Sequence, residues 1–141
     1  MMEKITRVEA ICVAGQRDYQ ATAGLRAPGL PAPSALALDH NQGRHLCVYP
    51  VRAETLLVKI TTASGIVGWG EAHSPPVPRV SQALIEDLFA PQLIGKDALA
   101  IEARWDELYA SMRLRGHISG FMLEALAGVD IALWDIAGKA L

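Results

Sequence analysis

The 141-residue sequence has few of the features on which cofactor and nucleic-acid binding depend. It contains only two cysteines, and its formal net charge is -2, with charges of both signs spread along the chain. That balance provides neither a basic stripe for nucleic acid nor a polybasic patch for a membrane surface. The GxGxxG, P-loop and GxSxG patterns are absent from the sequence. We therefore expect no nucleic acid and no membrane among its partners.

The two cysteines, Cys12 and Cys47, lack the CxxC spacing of a redox or metal motif. Their apolar sequence neighbours favour two buried, reduced thiols over a disulfide, as is usual in the cytoplasm. No uninterrupted apolar run approaches the roughly 20 residues that a bilayer requires, and a strand pattern begins directly after the first four residues. These features favour a cytoplasmic protein of one domain, which at this length buries roughly two-thirds of the surface of the unfolded chain.

The strongest strand signal is TLLVKITTASGIVGWGE, residues 55–71. Apolar residues alternate on both sides of residues 63–65, which predicts a β-hairpin closed by a three-residue loop with Gly65 at positive φ. Gly68 and Gly70 lie two positions apart in the second strand and remove the side chains from one of its faces. Such a pair indicates a bulge or another backbone or ligand lying close.

Residues 5–14 alternate in the same way and predict a half-buried first strand. From residue 15 to residue 53 the alternation stops, and prolines and glycines exclude a long regular element, so only residues 46–49 could form a short strand. The segment still carries apolar residues that a disordered linker would lack, and we interpret it as a lid. Its arginines outnumber its acidic residues, which suits an anionic ligand; solvated loop arginines are an equal alternative.

Two helices are predicted after the hairpin. The first spans about residues 79–89, behind a proline-rich connector, and Pro91 is expected to end or kink it. The second follows Asp97, the predicted N-cap. Its single apolar stripe is assigned to the core and consists of Ile101, Trp105, Leu108, Tyr109 and Met112. The residues assigned to its solvated side are Glu102, Arg104, Asp106 and Glu107.

A last helix is predicted over residues 121–139, with Ser119 as its N-cap. It is apolar nearly all round, so we expect other elements to cover it on several sides. Asp130 is predicted to be buried and paired, as a structural acceptor rather than a catalytic group. The sequence reaches Leu141 without a glycine cap, a proline or a polar tail, which suggests that the following residues belong to a structure absent from this chain.

The sequence patterns for a metal site and for a catalytic pair of carboxylates are weak. Glu71 and His73 lie two apart, but a third ligand is not evident nearby, so a local zinc site is not predicted. Glu102 and Asp106 are two like charges on a solvated helix face rather than a catalytic pair.

Two stretches together resemble one family. VGWGEA, residues 67–72, and GVDIALWDIAGKAL, residues 128–141, are similar to the N-terminal capping domain of the enolase superfamily, in its mandelate racemase and muconate lactonising branch. The resemblance covers residues 5–141 except the interior of the long segment. It implies an α+β fold in which a three-stranded antiparallel meander packs on a small helical bundle. Residues 1–141 would then be one capping and substrate-specificity domain, in which about residues 121–141 lead toward a C-terminal barrel that this chain lacks.

The resemblance also implies an activity. Enzymes of this branch are dehydratases, racemases or cycloisomerases, that is, lyases and isomerases, which abstract the proton α to a carboxylate while Mg²⁺ stabilises the enediolate. The expected substrate is a small carboxylate, in particular an acid sugar. The Mg²⁺ ligands and the catalytic base lie on barrel strands, so no catalytic or metal-ligating residue is assigned here. The chain is expected to be inactive alone, to act with a barrel domain in cis, and to be compatible with a homo-oligomer.

In this family two loops of the capping domain close over the barrel mouth, here residues 15–53 and 71–78, and they select substrate and exclude water. Within them the substrate-binding candidates are Tyr19, Arg26 and His73. A guanidinium can fork onto a carboxylate, and a phenol or an imidazole can hydrogen-bond hydroxyl groups. The alternative for each is an ordinary loop residue.

Two other functions stay open at this point. One is a non-catalytic binding or oligomerisation module that uses the apolar surface left without a barrel. The other is a metal-dependent enzyme complete in 141 residues, which would require stoichiometric binding of Mg²⁺ or Zn²⁺.

Overall fold

The computed structural model describes residues 2–18, 38–40, 48–50, 52–74 and 77–141. Its strands are β1 (Ile5–Asp18), β2 (Leu38–His40), β3 (Val48–Pro50), β4 (Arg52–Thr62) and β5 (Val67–Ala72). Its helices are α1 (Pro78–Ala83), a π-helical segment (Leu84–Phe89), α2 (Ala90–Leu93), α3 (Ile101–Arg113) and α4 (Phe121–Ala140).

The main sheet is antiparallel, with the strand order β1–β4–β5. β4 and β5 pair without a register shift, so the predicted hairpin is confirmed. The Thr62 N–H donates to the carbonyl of Ile66 at 2.9 Å and closes a three-residue loop. Gly65 has a φ of 90° in that loop, as its position in the sequence predicted.

The two glycines of β5 let α4 lie directly on the sheet. A Cβ atom at Gly68 would be 2.1 Å from the carbonyl oxygen of Ala132. One at Gly70 would be 2.0 Å from the carbonyl oxygen of Gly128. Real Cβ atoms are not found at such distances, so only glycine allows the two backbones to meet. Of the two readings of the pair, close approach of another backbone is correct, and the ladder contains no bulge at this point.

The core lies between this face of the sheet and the helices. Its largest fully buried side chains come from both layers: Ile5, Leu56, Val58, Ile60, Ile85, Phe89, Leu93, Leu108, Leu126, Val129, Leu133 and Ile136. The fold is thus α+β, a three-stranded meander packed on helices, as the resemblance implied.

The free edge of β5 is bonded to side chains of α4. Asp135 Oδ2 accepts a hydrogen bond from the Trp69 N–H at 2.8 Å. Lys139 Nζ donates to the Val67 carbonyl at 2.8 Å and to Asp135 Oδ2 at 2.6 Å. An edge strand ordinarily leaves such groups open to pairing with another chain. Here an i,i+4 ion pair on a helix satisfies two of them.

Asp135→Ala should lower the free energy of unfolding by about 1 kcal/mol, a charged hydrogen bond discounted for its solvent exposure. The hydrogen bond from Lys139 holds the pKa of Asp135 below its usual range. The stabilisation that ionised Asp135 gives to the folded state is therefore complete above the unfolded-state pKa of about 4. It is lost as pH falls through the lower folded-state pKa. Urea unfolding at pH 7 and pH 3 measures this. The exposed Asp87→Ala is the control, and an equal loss in both variants at pH 7 would contradict the role of Asp135.

Both predicted helix caps are wrong. Asp97 Oδ1 accepts from the N–H groups of Glu3 at 3.0 Å and Leu99 at 3.1 Å. It therefore ties the N-terminal strand to a turn, and α3 begins without a side-chain cap. Ser119 does not cap α4 either, because the cap position is taken by Gly120 at a φ of 61°.

The first predicted helix is longer than residues 79–89. Helical structure starts at Pro78 and continues through Pro91, although its middle section, Leu84–Phe89, is π-helical. Pro91 lies in the first turn of α2, where a missing N–H is tolerated. The wider turn that precedes it accommodates the ring, so Pro91 does not end the segment.

The predicted core stripe of α3 is confirmed except at Trp105. Ile101 and Leu108 are buried, and Tyr109 and Met112 pack against the core. Trp105 is 37% exposed and stacks on Tyr109 with ring centroids 5.0 Å apart.

Arg104, predicted to be solvated, is only 8% exposed. Its guanidinium donates to both carboxylate oxygens of Glu107, at 3.0 and 2.8 Å. This bidentate pairing is what makes burial of the charge tolerable.

Strand structure extends into the segment 15–53, where the sequence predicted no long regular element. β1 continues to Asp18, which pairs with Arg52 beyond a register shift. β2 and β3 form a small antiparallel ribbon where only a strand over residues 46–49 was expected. Backbone pairing needs no alternation of apolar side chains, so the pattern did not reveal these extensions.

Candidate functional site

Two of the connections between elements leave the main sheet at the same end. Cys12 of β1 pairs with Leu56 of β4, and Leu56 pairs with Ala72 of β5. Because both pairings are antiparallel, β1 ends, β4 begins and β5 ends on the same side of this row. We call the row and the residues beyond it, 13–18, 52–55 and 73–74, the loop end of the sheet. The connection from β1 to β4 and the connection after β5 both depart from it.

The exit from β5 is fixed on both sides. Thr55 Oγ1 donates to Glu71 Oε1 at 2.5 Å, which links the start of β4 to the end of β5. Beyond the strand, buried Ser74 shares a hydrogen bond with Ser81 of α1, with 2.9 Å between the hydroxyl oxygens. His73 lies between these two anchors and is exposed. The imidazole is thus presented to solvent at the loop end on a constrained backbone.

Only one of the three predicted site residues falls within the described part of the chain. His73 lies at the loop end, as its position after the hairpin predicted. Tyr19 and Arg26 lie outside the described residues, so the three are not brought together by the structure and remain predictions.

A polar cluster at the loop end was not predicted. Gln82 of α1 donates through Nε2 to the carbonyl of Ala10 at 2.9 Å and to Glu86 Oε1 at 3.2 Å. Its Oε1 accepts from Cys12 Sγ at 3.3 Å. These contacts tie α1 to β1. Because the two contacts with β1 join residues at least 70 positions apart, no local sequence pattern could have signalled them.

Cys12 is exposed, so the prediction that its thiol is buried is wrong. Partial desolvation raises the pKa of Cys12, and Arg79 acts in the opposite direction. A thiol with a raised pKa is a poor nucleophile at neutral pH. Cys47 lies outside the described residues.

Asp130 differs from its prediction as well. It is half-buried on α4, and burial raises the pKa of its carboxyl. Asp130 lines a groove between α3 and α4, and among the described residues no hydrogen bond or ion pair to it is formed. α4 packs on β4, β5, α1 and α3, so it is covered on several sides as expected. Ile131 and Trp134, which lie near Asp130 on the helix, nevertheless stay exposed.

The described part of the chain contains neither a metal-ligand cluster nor a membrane-spanning helix. Within residues 2–18, 38–40, 48–50, 52–74 and 77–141, no three His, Cys, Asp or Glu side chains converge in a way that could hold a metal ion. In that part of the chain, no helix combines the length and the apolar character needed to cross a bilayer.

Comparison with known proteins gives consistent matches. Residues 41–141 match the family model of the mandelate racemase/muconate lactonizing enzyme N-terminal domain. D-galactonate dehydratase of Variovorax paradoxus (strain S110) is 41% identical over 96 residues, which are 68% of this chain and 24% of that protein. D-galactarolactone cycloisomerase of Agrobacterium fabrum (strain C58) is 42% identical over 88 residues, 62% of this chain and 22% of that protein.

A solved structure extends the likeness to nearly the whole chain. The crystal structure of a member of the enolase superfamily from Agrobacterium tumefaciens superposes with a TM-score of 0.90 at 38% identity. The match covers 99% of this chain and 35% of that one. The chain therefore spans about a third of the length of this solved structure, and about a quarter of the length of the curated relatives.

Proposed function

This chain belongs to the mandelate racemase/muconate lactonizing enzyme family as its N-terminal domain, and we propose that it is the capping domain of an acid-sugar dehydratase or cycloisomerase. The observation that carries the proposal is the loop end, where the connection from β1 to β4 and the connection after β5 leave the sheet from one side. Loops that depart together can lie together over the mouth of a second domain. There they select the substrate and keep water from the reacting carbon.

The names of the relatives support one substrate class. The two curated relatives are a D-galactonate dehydratase and a D-galactarolactone cycloisomerase, and both names denote acid-sugar chemistry. For this chain we propose a polyhydroxylated carboxylate whose α-proton is abstracted. Arg26 would bind the carboxylate, while Tyr19 and His73 would hydrogen-bond hydroxyl groups.

Proton abstraction is assigned to the domain that follows in the relatives. In the complete enzyme Mg²⁺ would stabilise the enediolate formed from the carboxylate. The described residues of this chain do not offer three convergent ligands for such an ion. Their part is therefore to bind and orient the substrate and to exclude water.

Reassembly from two pieces tests this assignment. The chain is incubated with Mg²⁺ and a panel of acid sugars, alone and together with the remainder of the Variovorax dehydratase lacking its own N-terminal portion. Product formation is expected only in the mixture. The remainder supplied with its own N-terminal piece is the positive control. Turnover by the chain alone, or none in a mixture whose positive control is active, would contradict the proposal.

His73→Ala should raise the KM of the reassembled enzyme by roughly 2- to 10-fold, the equivalent of one lost hydrogen bond. The expected change in kcat is smaller, because His73 is assigned to binding. Steady-state kinetics measure both constants. His117→Ala, an exposed histidine in the turn before α4, is the matched control. Equal effects of the two substitutions would remove His73 from the site.

A further inference from the structure

A groove between α3 and α4 combines two indoles with three carboxylates. Its volume is about 340 Å³. It is lined by Ile101, Glu102, Trp105, Asp106, Asp130 and Trp134. The loop end of the sheet contributes no residue to it, so the groove is separate from the candidate substrate site.

The carboxylates of the groove lack cationic partners within the described ranges. None of the ion pairs found there includes Glu102, Asp106 or Asp130. Asp130 is the most enclosed of the three, and desolvation alone raises the pKa of its carboxyl. A partner that brings a positive charge would offset that desolvation.

The indoles favour a particular cation. Trp105 is 37% exposed and Trp134 is 59% exposed, and both border the groove beside the carboxylates. A guanidinium is planar, so it can stack on an indole face while its edge donates to a carboxylate. An ammonium group offers only a point charge. The lining thus matches arginine better than lysine.

The groove continues to the end of α4. A second hollow of about 510 Å³ shares Ile101, Glu102 and Trp134 with it and reaches Leu141. The curated relatives are about four times longer than the part that this chain matches. The matched family model is that of an N-terminal domain, so in the relatives a further domain follows. The matched region of the family model extends to residue 141, which lines the second hollow.

We propose that the groove receives an arginine side chain of that following domain, stacked against Trp105 and Trp134 and bonded to Asp130. The inference rests on the proposed capping function and deepens it, because it identifies a contact that would orient the capping domain on its catalytic partner. The surrounding exposed residues of α4, such as Ile131, would pack against the same domain.

The test is a titration of the ¹⁵N-labelled chain with N-acetyl-L-arginine amide, followed through the indole N–H signals. The chain has three tryptophans, and Trp69 is an internal reference because it lies on β5 and not in the groove. Saturable shifts are expected for Trp105 and Trp134 and not for Trp69. N-acetyl-L-citrulline amide, which has the same shape without the charge, should leave all three unchanged.

Asp130→Asn should weaken the arginine amide by about tenfold, the equivalent of one charged hydrogen bond. Its unchanged amide spectrum would show that the fold is intact. Equal binding of citrulline or lysine amide, or no weakening in Asp130→Asn, would overturn the proposal. The proposal would also be overturned if the chain formed a dimer that Trp134→Ala dissociates, because the groove would then be filled by a second copy of the chain. If the chain does not bind the arginine amide but reassembly restores activity, only the groove proposal is rejected. If the chain binds the arginine amide but reassembly fails, the proposed function is rejected.

Discussion

Gly70→Ala is expected to lower the free energy of unfolding by about 3 kcal/mol or more, at the upper end of the cost of overpacking. The new Cβ would lie 2.0 Å from the carbonyl oxygen of Gly128 and 2.8 Å from the nitrogen of Ala132. Both are backbone atoms of α4, so no side-chain rotation can relieve the contact. The helix would have to move away from β5, and the core beneath it would open. Urea unfolding followed by circular dichroism measures the loss.

Gly138→Ala is the matched control. Gly138 also lies on α4, but a Cβ there meets nothing within 4 Å. Alanine should therefore stabilise the domain by up to about 1 kcal/mol, the difference in helix propensity. If Gly70→Ala cost less than about 1 kcal/mol, well below the overpacking range, the close approach of α4 and β5 would be wrong.

Leu126→Ala should cost about 2–5 kcal/mol, the range for removing a buried leucine side chain. Leu126 is 1% exposed and lies in the core between α4 and the sheet. The substitution removes apolar contacts and leaves a cavity that the packed layers close only in part. Chemical denaturation gives the difference directly.

Leu123→Ala on the same helix separates burial from helix propensity. Leu123 is 37% exposed, so its removal should cost less than about 1 kcal/mol. Trp105→Ala should likewise cost less than Leu126→Ala, although the apolar stripe predicted a comparable loss. Equal losses for Leu126→Ala and Leu123→Ala would show that α4 is buried differently from the structure described here.

Local signals in the sequence gave the correct elements where one interaction dominated. The hairpin follows from the alternation of apolar residues on both sides of a turn in which Gly65 takes a positive φ. Gly68 and Gly70 indicated that another backbone or a ligand lies close to β5. The sequence did not show that the neighbour was α4, because the contact joins residues about 60 positions apart. The helix bounds of α4 were nearly correct, since its apolar pattern is long and contains neither proline nor a cluster of polar residues.

The errors concern polar side chains whose partners the sequence pattern does not specify. Asp97 was predicted to cap α3, but its carboxylate accepts a hydrogen bond from the N–H of Glu3, and α3 begins without a side-chain cap. Arg104 had a solvated helical position, but Glu107 and the packing of α3 enclose it. Asp130 has apolar sequence neighbours and was predicted to be buried and paired, yet it lines a groove between α3 and α4 without a partner among the described residues. In each case the pattern specified the residue's chemistry but not its partner.

Some features of the candidate site could be predicted from the sequence and others could not. The position of His73 could be predicted, because the end of a hairpin strand fixes where the next residue lies, whereas its role in substrate binding stays a prediction. The cluster around Gln82 could not, because its contacts with β1 arise only when α1 packs on that strand. Both connections leave the sheet at the same end because the three main-sheet strands are antiparallel to their neighbours.

The most direct test of the capping role is a measurement of substrate preference in hybrid enzymes. The remainder of the Variovorax dehydratase is joined either to its own N-terminal portion or to this chain, and kcat/KM is measured for a panel of acid sugars. We predict that both enzymes turn over and that the rank order of substrates changes with the N-terminal portion. An active hybrid with an unchanged rank order would contradict the claim that this domain selects the substrate.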